Sequence, residues 1–366
     1  MGACHAVALG VGGLNVSALP VISPQDVRNF RFRLLRWYGR HGRDLPWRRT
    51  RDPYAILVSE CMLQQTQVAA VIPYYNEWLQ RFPNFAALAR ASESQILHAW
   101  EGLGYYARAR NLHATAKVIV KEHGGKLPRT TKEIRKLPGI GKYTAHAVAT
   151  FAFDQPVPIV EANSARVLAR VFNLQVPIDE TSGRRILWSQ AAQLVPKRGA
   201  ARFNSALVDL GALICRPRQP KCEICPLRKS CSANDPEILP LKKARPQMKR
   251  LTENHVFITR QNRILLQQAG RRWRGMWILP PLRTTLPVSA AIHRSVFPFT
   301  NHHITLQVFP QPPPRAPKPE QGWFAIGKLA LVPIPSPHRR AIQHLLQSPG
   351  TKAWQRPGCS LTSSYA

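Results

Sequence analysis

The sequence predicts a multi-domain chain: an all-α core followed by a smaller α+β domain. Three observations carry that expectation. At 366 residues the chain is too long for one modest hydrophobic core, so two domains are the natural reading. From about residue 24 to residue 174, apolar residues recur at helical spacing between loops marked by Gly and Pro. Beyond Leu241 to Arg250, a run with five basic residues and no acid, the texture changes to short alternating segments.

Taken in order, Ser23 and Pro24 open an amphipathic helix expected over 24–38, with Gly39 just past its end. Arg43 to Arg49 follows as a basic loop around Trp47, and a guanidinium beside an indole suits a pocket for a flat, hydrogen-bonding ring. One helix is expected over Ile56 to Ile72, with Glu60 between Ser59 and Cys61 and a polar patch at Gln64 to Gln67. A carboxyl sunk among apolar neighbours holds its proton more tightly and can donate it near neutrality. Further helices are expected at 77–81, 92–100, 108–123 and 131–136, and Gly102-Leu103-Gly104 places Tyr105 and Tyr106 on a glycine hinge. There an aromatic ring could wedge into a base stack or pack as an ordinary tyrosine pair.

Leu137-Pro138-Gly139-Ile140-Gly141-Lys142-Tyr143-Thr144 organises the chain around it. Its two glycines permit a sharp turn, and amides feeding the next helix form a concavity for an anion such as a DNA phosphate. An ordinary helix–helix turn would share the glycines. Downstream, Pro156 and Pro158 end a segment, and Glu161 starts a helix whose face carries Val167, Leu168, Val171 and Phe172. The positive end of the helix dipole favours an ionised Glu161. Glu60 and Glu161 thus supply the two carboxyl groups that glycosidic chemistry places around an oxocarbenium-like transition state.

Seven cysteines occur, and Cys215, Cys222, Cys225 and Cys231 fall within 17 residues. The odd total argues against a disulfide framework and for a reducing compartment. Four crowded thiols point to a metal site, but their spacing decides nothing between iron–sulfur and zinc. Past the basic run, 255–259 and 263–267 read as a β-hairpin around Gln261-Asn262, Trp273 to Pro280 as a tight aromatic bend, and 305–309 as a strand. Residues 1–22 read as a disordered leader and 348–366 as a disordered tail. Lys and Arg outnumber Asp and Glu by 52 to 19, a net charge of +33 that favours a polyanion, nucleic acid before an anionic membrane surface. No run reaches the ~20 apolar residues of a transmembrane helix.

Four blocks together resemble the MutY-type adenine DNA glycosylases of the helix-hairpin-helix family: Leu45 to Arg48, Val58 to Gln67, Gly102 to Arg108, and the 137–144 hairpin with its downstream acid. The likeness runs from about Val27 to Cys231, and the Gln-Gln-Thr block at 64–66 separates it from endonuclease III. The resemblance implies a glycosylase domain over 23–235 with a six-helix lobe at about 50–160, a basic linker at 236–252, and a Nudix-like 8-oxoguanine recognition domain over 253–347. That domain has no cluster of glutamates after Leu279, so nucleotide hydrolysis is not expected there. Also implied are a [4Fe-4S] cluster on the four cysteines, a monomer, duplex DNA with adenine opposite 8-oxoguanine or guanine as partner, and a bacterial, nucleoid-associated cytoplasmic location.

Residue by residue, the resemblance makes Glu60 the acid that protonates adenine and puts Glu161 where the family has an Asp that stabilises the sugar cation. Tyr143 and Asn163 support that pair; Tyr143 fills the slot of the endonuclease III Schiff-base lysine, which implies a monofunctional enzyme, and Lys142 points elsewhere. Arg43, Trp47, Arg48 and Ser205 match the pocket for the flipped adenine. Gln65 and Tyr105 match side chains that enter the duplex, Thr300 and Asn301 the loop that senses 8-oxoguanine, and Gly139, Gly141 and Lys142 the phosphate grip. The departures are Glu161 for Asp, Ala162 for Gly, Ser205 for a Glu or Gln, and Asn301 for a His. Three alternatives stand beside this expectation: a catalytically impaired lesion binder, an endonuclease III-like enzyme for oxidised pyrimidines, and a basic protein with a zinc knuckle.

Overall fold

The computed structural model describes residues 21–348 apart from 245, 246, 271, 283 and 285. The expected leader and tail, with Cys4 and Cys359, fall almost wholly outside the described residues. No helix among them is long and apolar enough to cross a membrane.

Helix α1 (Pro24–His41) starts where Ser23 Oγ accepts from the Asp26 amide. It runs past its expected end: Gly39 lies inside it and Gly42 caps it. Helices α2 (Pro53–Leu63) and α3 (Val68–Arg81) replace the single helix expected over 56–72. Every residue of α2 from Tyr54 to Met62 is buried, so the polar Gln64-Gln65-Thr66 cannot continue it; the chain leaves the helix and Gln65 turns at φ 58°. Then come α4 (Phe85–Arg90), α5 (Glu93–Ala99), α6 (Ala107–Glu122) and α7 (Thr131–Ile134). Ser92 and Gln95 close a capping box on α5. Helices α8 (Lys142–Phe153), α9 (Ala162–Val171), α10 (Thr181–Leu194) and α11 (Ala200–Leu213) complete the helical region.

Among the described residues seven strands follow: β1 (Lys249–Phe257), β2 (Thr259–Arg260), β3 (Arg263–Gln268), β4 (Trp277–Ile278), β5 (His293–Phe299), β6 (His302–Pro310) and β7 (Gln321–Ala325), then α12 (Ser336–Gln347). The expected hairpin survives as the short β2–β3 pair, whose turn residues Gln261 and Asn262 both have positive φ, as a two-residue hairpin requires. The segment at 255–257 belongs instead to β1, which pairs in parallel with β6 and already includes Lys249 and Arg250 of the basic run. The sheet order is β1-β6-β5; in the second sheet β3 pairs with β2, β4 and β7.

The chain divides into two compact units, Met1–Tyr75 with Val118–Ala244, and Asn76–Lys117 with Arg245–Ala366. In the first, Phe30, Leu34, Leu168, Phe203, Leu207 and Leu210 form the centre of one apolar core. Helices α1, α9 and α11 meet there, and α2 packs on α8. In the second, Trp78 meets Phe82 and Trp100 edge-on, while Val256, Ile258 and Leu265 form a core under the strands.

Candidate active site

A cleft of about 380 Å³ opens in the first unit, within the size range of small-ligand sites. Its lining includes Arg43, Trp47, Arg48, Glu60, Tyr143, Glu161, Asn163 and Ser205, so eight of the residues singled out from sequence share one wall.

Glu60 sits in the fully buried α2 and is itself 4% exposed. Burial pushes its carboxyl up to about 7; the Tyr143 hydroxyl, which donates to Oε2 at 2.8 Å, pulls it back, and the charge of Glu161 raises it further. Tyr143 keeps its own proton, because burial and the two carboxylates push its hydroxyl well up.

Glu161 is the N-cap of α9. Its Oε1 accepts from the amides of Asn163 and Ser164, each at 2.8 Å, and its Oε2 accepts from Asn163 Nδ2 at 3.2 Å. Ser164 Oγ accepts in return from the Glu161 amide at 2.9 Å, closing a capping box. The sequence suggested that the helix dipole would govern this group. Burial is the larger effect and pushes the Glu161 carboxyl up, with the two backbone amides opposing it.

Sequence reasoning missed the supports behind this wall. Asp209 on α11, with its side chain fully buried, accepts from Arg43 Nε and amide and from both terminal nitrogens of Arg48, all at 2.7–2.8 Å. Burial alone would raise its carboxyl, but Arg48 first and Arg43 next hold it below the ordinary carboxylate range. The two guanidiniums are thereby fixed, and Trp47 stands edge-on to Tyr75 between them in sequence. Arg166 donates to Asn163 Oδ1 at 2.8 Å, so the Asn163 amide must turn its Nδ2 toward Glu161. The same guanidinium reaches the carbonyls of Gly211 and Cys215, both at 2.7 Å. The one signal for Asp209 in the sequence is an acid within the apolar run Ala206 to Leu213.

At the hairpin, Pro138 followed by Gly139 at φ 70°, with the Ile140 amide bonded to the Leu137 carbonyl, makes a tight turn pinned by buried Leu137 and Ile140. Gly141 caps α8 without a side chain, leaving the first amides of the helix open, and the Lys142 ammonium lies 3.8 Å over the Trp188 ring. Gln65 is exposed at the break after α2 and is not on the cleft wall. Tyr105, Thr300 and Asn301 belong to the second unit. Tyr105 is 47% exposed at φ 46°, with Arg108 5.6 Å from its ring; Thr300 turns at φ 52° in a two-residue hairpin whose Phe299 is stacked by Arg272 at 4.7 Å. A positive φ on Gln65, Tyr105 and Thr300 is uncommon for side chains of this size, and such strain concentrates at functional sites.

The four cysteines line a second cavity with Val167, Arg170, Val171 and Leu210, against the same apolar core. Arg170 donates to Cys215 Sγ at 3.3 Å. Among the described residues no three His, Cys, Asp or Glu side chains converge on one ion-sized point. The four thiols share one lining, a donor set suited to a thiolate-held metal site.

Residues 58–191 match the family model described as HhH-GPD superfamily base excision DNA repair protein. The chain is 45% identical over 217 residues to the adenine DNA glycosylase of Mus musculus, an alignment covering 57% of this chain and 42% of that protein. It therefore spans less than half the length of that relative. With the adenine DNA glycosylase of Buchnera aphidicola subsp. Schizaphis graminum it is 33% identical over 282 residues, covering 75% of this chain and 81% of the relative. Among solved structures, a thermostable thymine-DNA glycosylase superposes with a TM-score of 0.53 at 35% identity, over 57% of this chain and 96% of that one. An endonuclease III–DNA complex gives a TM-score of 0.50 at 21% identity over 58% and 96%, a likeness of fold.

Replacing Asp209 by Asn leaves two guanidiniums in a largely buried wall without their counter-charge. We expect a loss of about 3–5 kcal/mol in denaturant unfolding, and no change in midpoint would show that Asp209 does not hold the wall.

Proposed function

The chain belongs to the adenine DNA glycosylases of the HhH-GPD base-excision repair superfamily, and from that premise we propose that it removes adenine from duplex DNA where adenine lies opposite 8-oxoguanine or guanine. One observation carries the proposal: Glu60, with a proton held by burial, and Glu161, with three N–H donors on its oxygens, line the same cleft.

In this reading a flipped adenine enters between the Arg48–Trp47 wall and Ser205. Glu60 gives its proton to a purine ring nitrogen. The bond from the sugar C1′ to the base breaks, and its electron pair leaves with the neutral adenine. Glu161 faces the sugar cation that remains; water adds to C1′ and gives its extra proton to the Glu60 carboxylate, which restores the acid. Tyr143 donates to Glu60 and is no amine nucleophile, which supports a monofunctional glycosylase with little or no strand nicking. Open α8 amides beyond Gly139 and Gly141, with Lys142 nearby, suit a phosphate of the strand. Gln65 and Tyr105 suit insertion into the duplex, and Thr300 and Asn301 contact with 8-oxoguanine from a Nudix-like region over 253–347. The net charge of +33 supports the sequence-independent part of DNA binding.

Cys215, Cys222, Cys225 and Cys231 would hold a [4Fe-4S] cluster, whose contribution is to fold the loop after α11 against α9. The purified chain should absorb near roughly 400 nm, as an iron–sulfur protein does and a zinc protein does not; a colourless protein carrying one zinc would overturn that assignment.

Single-turnover adenine release from an 8-oxoguanine duplex, with the normal guanine mispair and a thymine glycol duplex beside it, tests the activity. Release from the thymine glycol duplex alone would defeat the proposal. Because Glu60 acts only while protonated and its carboxyl titrates at about 7, the rate should fall as pH rises through that value. A rate flat from pH 6 to 8 would remove Glu60 from the donor's role. Glu161→Ala should slow release by about a hundredfold or more, the cost of a misplaced or missing charge. Glu161→Asp, which keeps the cap and shortens the reach, should raise it.

A further inference from the structure

His293 opens β5, the outer strand of the β1-β6-β5 sheet, and His344 lies in the last turn of α12, which packs on that strand. Neither has a part in the glycosylase site. Their Nδ1 atoms are 3.3 Å apart, with ring centroids at 5.0 Å and planes inclined by 55°. His344 is exposed and His293 partly buried, so solvent reaches the gap between them.

The separation is informative. An N–H donor normally sits about 2.7–3.2 Å from an oxygen acceptor, so at 3.3 Å between two nitrogens a ring-to-ring hydrogen bond is at most a weak one. Two nitrogens bound to one tetrahedral zinc, each at about 2.0–2.1 Å, stand about 3.3–3.4 Å apart. The protonation pattern agrees. Nε2 of His293 lies 3.2 Å from Ser295 Oγ, two residues along the strand, a contact that lets Nε2 carry the hydrogen and leaves a lone pair on Nδ1. A partner on the far nitrogen that fixes tautomer and ring orientation is the usual support of a metal-binding histidine. The last turn of α12 adds the partial negative charge of a helix C-terminus, which favours a cation.

We propose that His293 and His344 form a two-histidine site for a divalent ion of the zinc class, clipping α12 to the outer strand β5. Among the described residues no third His, Cys, Asp or Glu joins the pair, so water fills the remaining positions and the site is open and exchangeable. Imidazole donors select zinc, copper or nickel over magnesium and calcium.

The test uses the full chain with its cysteine site loaded, so that added zinc does not go to the thiols. Zinc chloride is titrated calorimetrically into the wild-type protein and into His293→Gln, His344→Gln and Ser295→Ala, with thermal unfolding followed in parallel. One equivalent should bind the wild type and raise its Tm. Each histidine variant should lose that equivalent or bind it at least about tenfold more weakly, and Ser295→Ala should weaken it by about tenfold. His344 is exposed, so His344→Gln keeps the fold and its unchanged far-ultraviolet circular dichroism checks this. Absence of zinc binding by the wild type, or equal affinity and stoichiometry in both histidine variants, would overturn the proposal.

Discussion

Two carboxyl groups in one poorly solvated cleft repel each other when both are ionised, and the architecture around Glu60 and Glu161 treats the two charges differently. Glu60 is enclosed by the apolar α2 and receives a single hydroxyl hydrogen. Glu161 stands at a helix start and receives three N–H hydrogens. Burial raises both, but only one is surrounded by donors that reward the charge. The donors thus favour charge on Glu161 over charge on Glu60, the asymmetry that the proposed glycosidic cleavage would use. Helix α2 buries one group, and α9 aims its first amides at the other.

The rest of the first unit acts to keep that pair in place. Helix α11 contributes Asp209 toward the arginine wall and Gly211 toward α9. A methyl group on Gly211 would lie 2.6 Å from Asn163 Cβ and 2.8 Å from the Asn163 carbonyl oxygen, so the absence of a side chain lets the two helices touch directly under the catalytic cap. Arg166 spans the same junction and reaches the Cys215 carbonyl, so the cysteine loop and the Asn163 amide lean on one guanidinium. Folding that loop therefore has a structural bearing on the orientation of the cap.

Much of the site was legible in the sequence, because its signals are local. Glu60 in an apolar run, Glu161 before a helical face, the glycine pair at 139 and 141, and the crowded thiols are each visible within about a turn or two of chain. The supports were not, because they are long-range. Asp209 meets Arg43 and Arg48 across more than 160 residues, and an acid in a helical pattern does not announce its partner. The break after α2 was read through because periodicity continues across it, while burial of α2 on all sides decides where the polar residues must leave. The parallel pairing of β1 with β6, about 50 residues apart, has no local signature, whereas the tight Gln261-Asn262 turn does.

The reciprocal cap at the head of α9 has one more consequence. A helix cap made by an ionisable group ties the integrity of the first turn to that group's charge. A proton on Glu161 would leave a neutral carbonyl oxygen, a weaker acceptor, for the amides of Asn163 and Ser164. The charge of that one carboxyl therefore bears on the start of a helix that also carries Arg166 and Arg170 toward the cysteines.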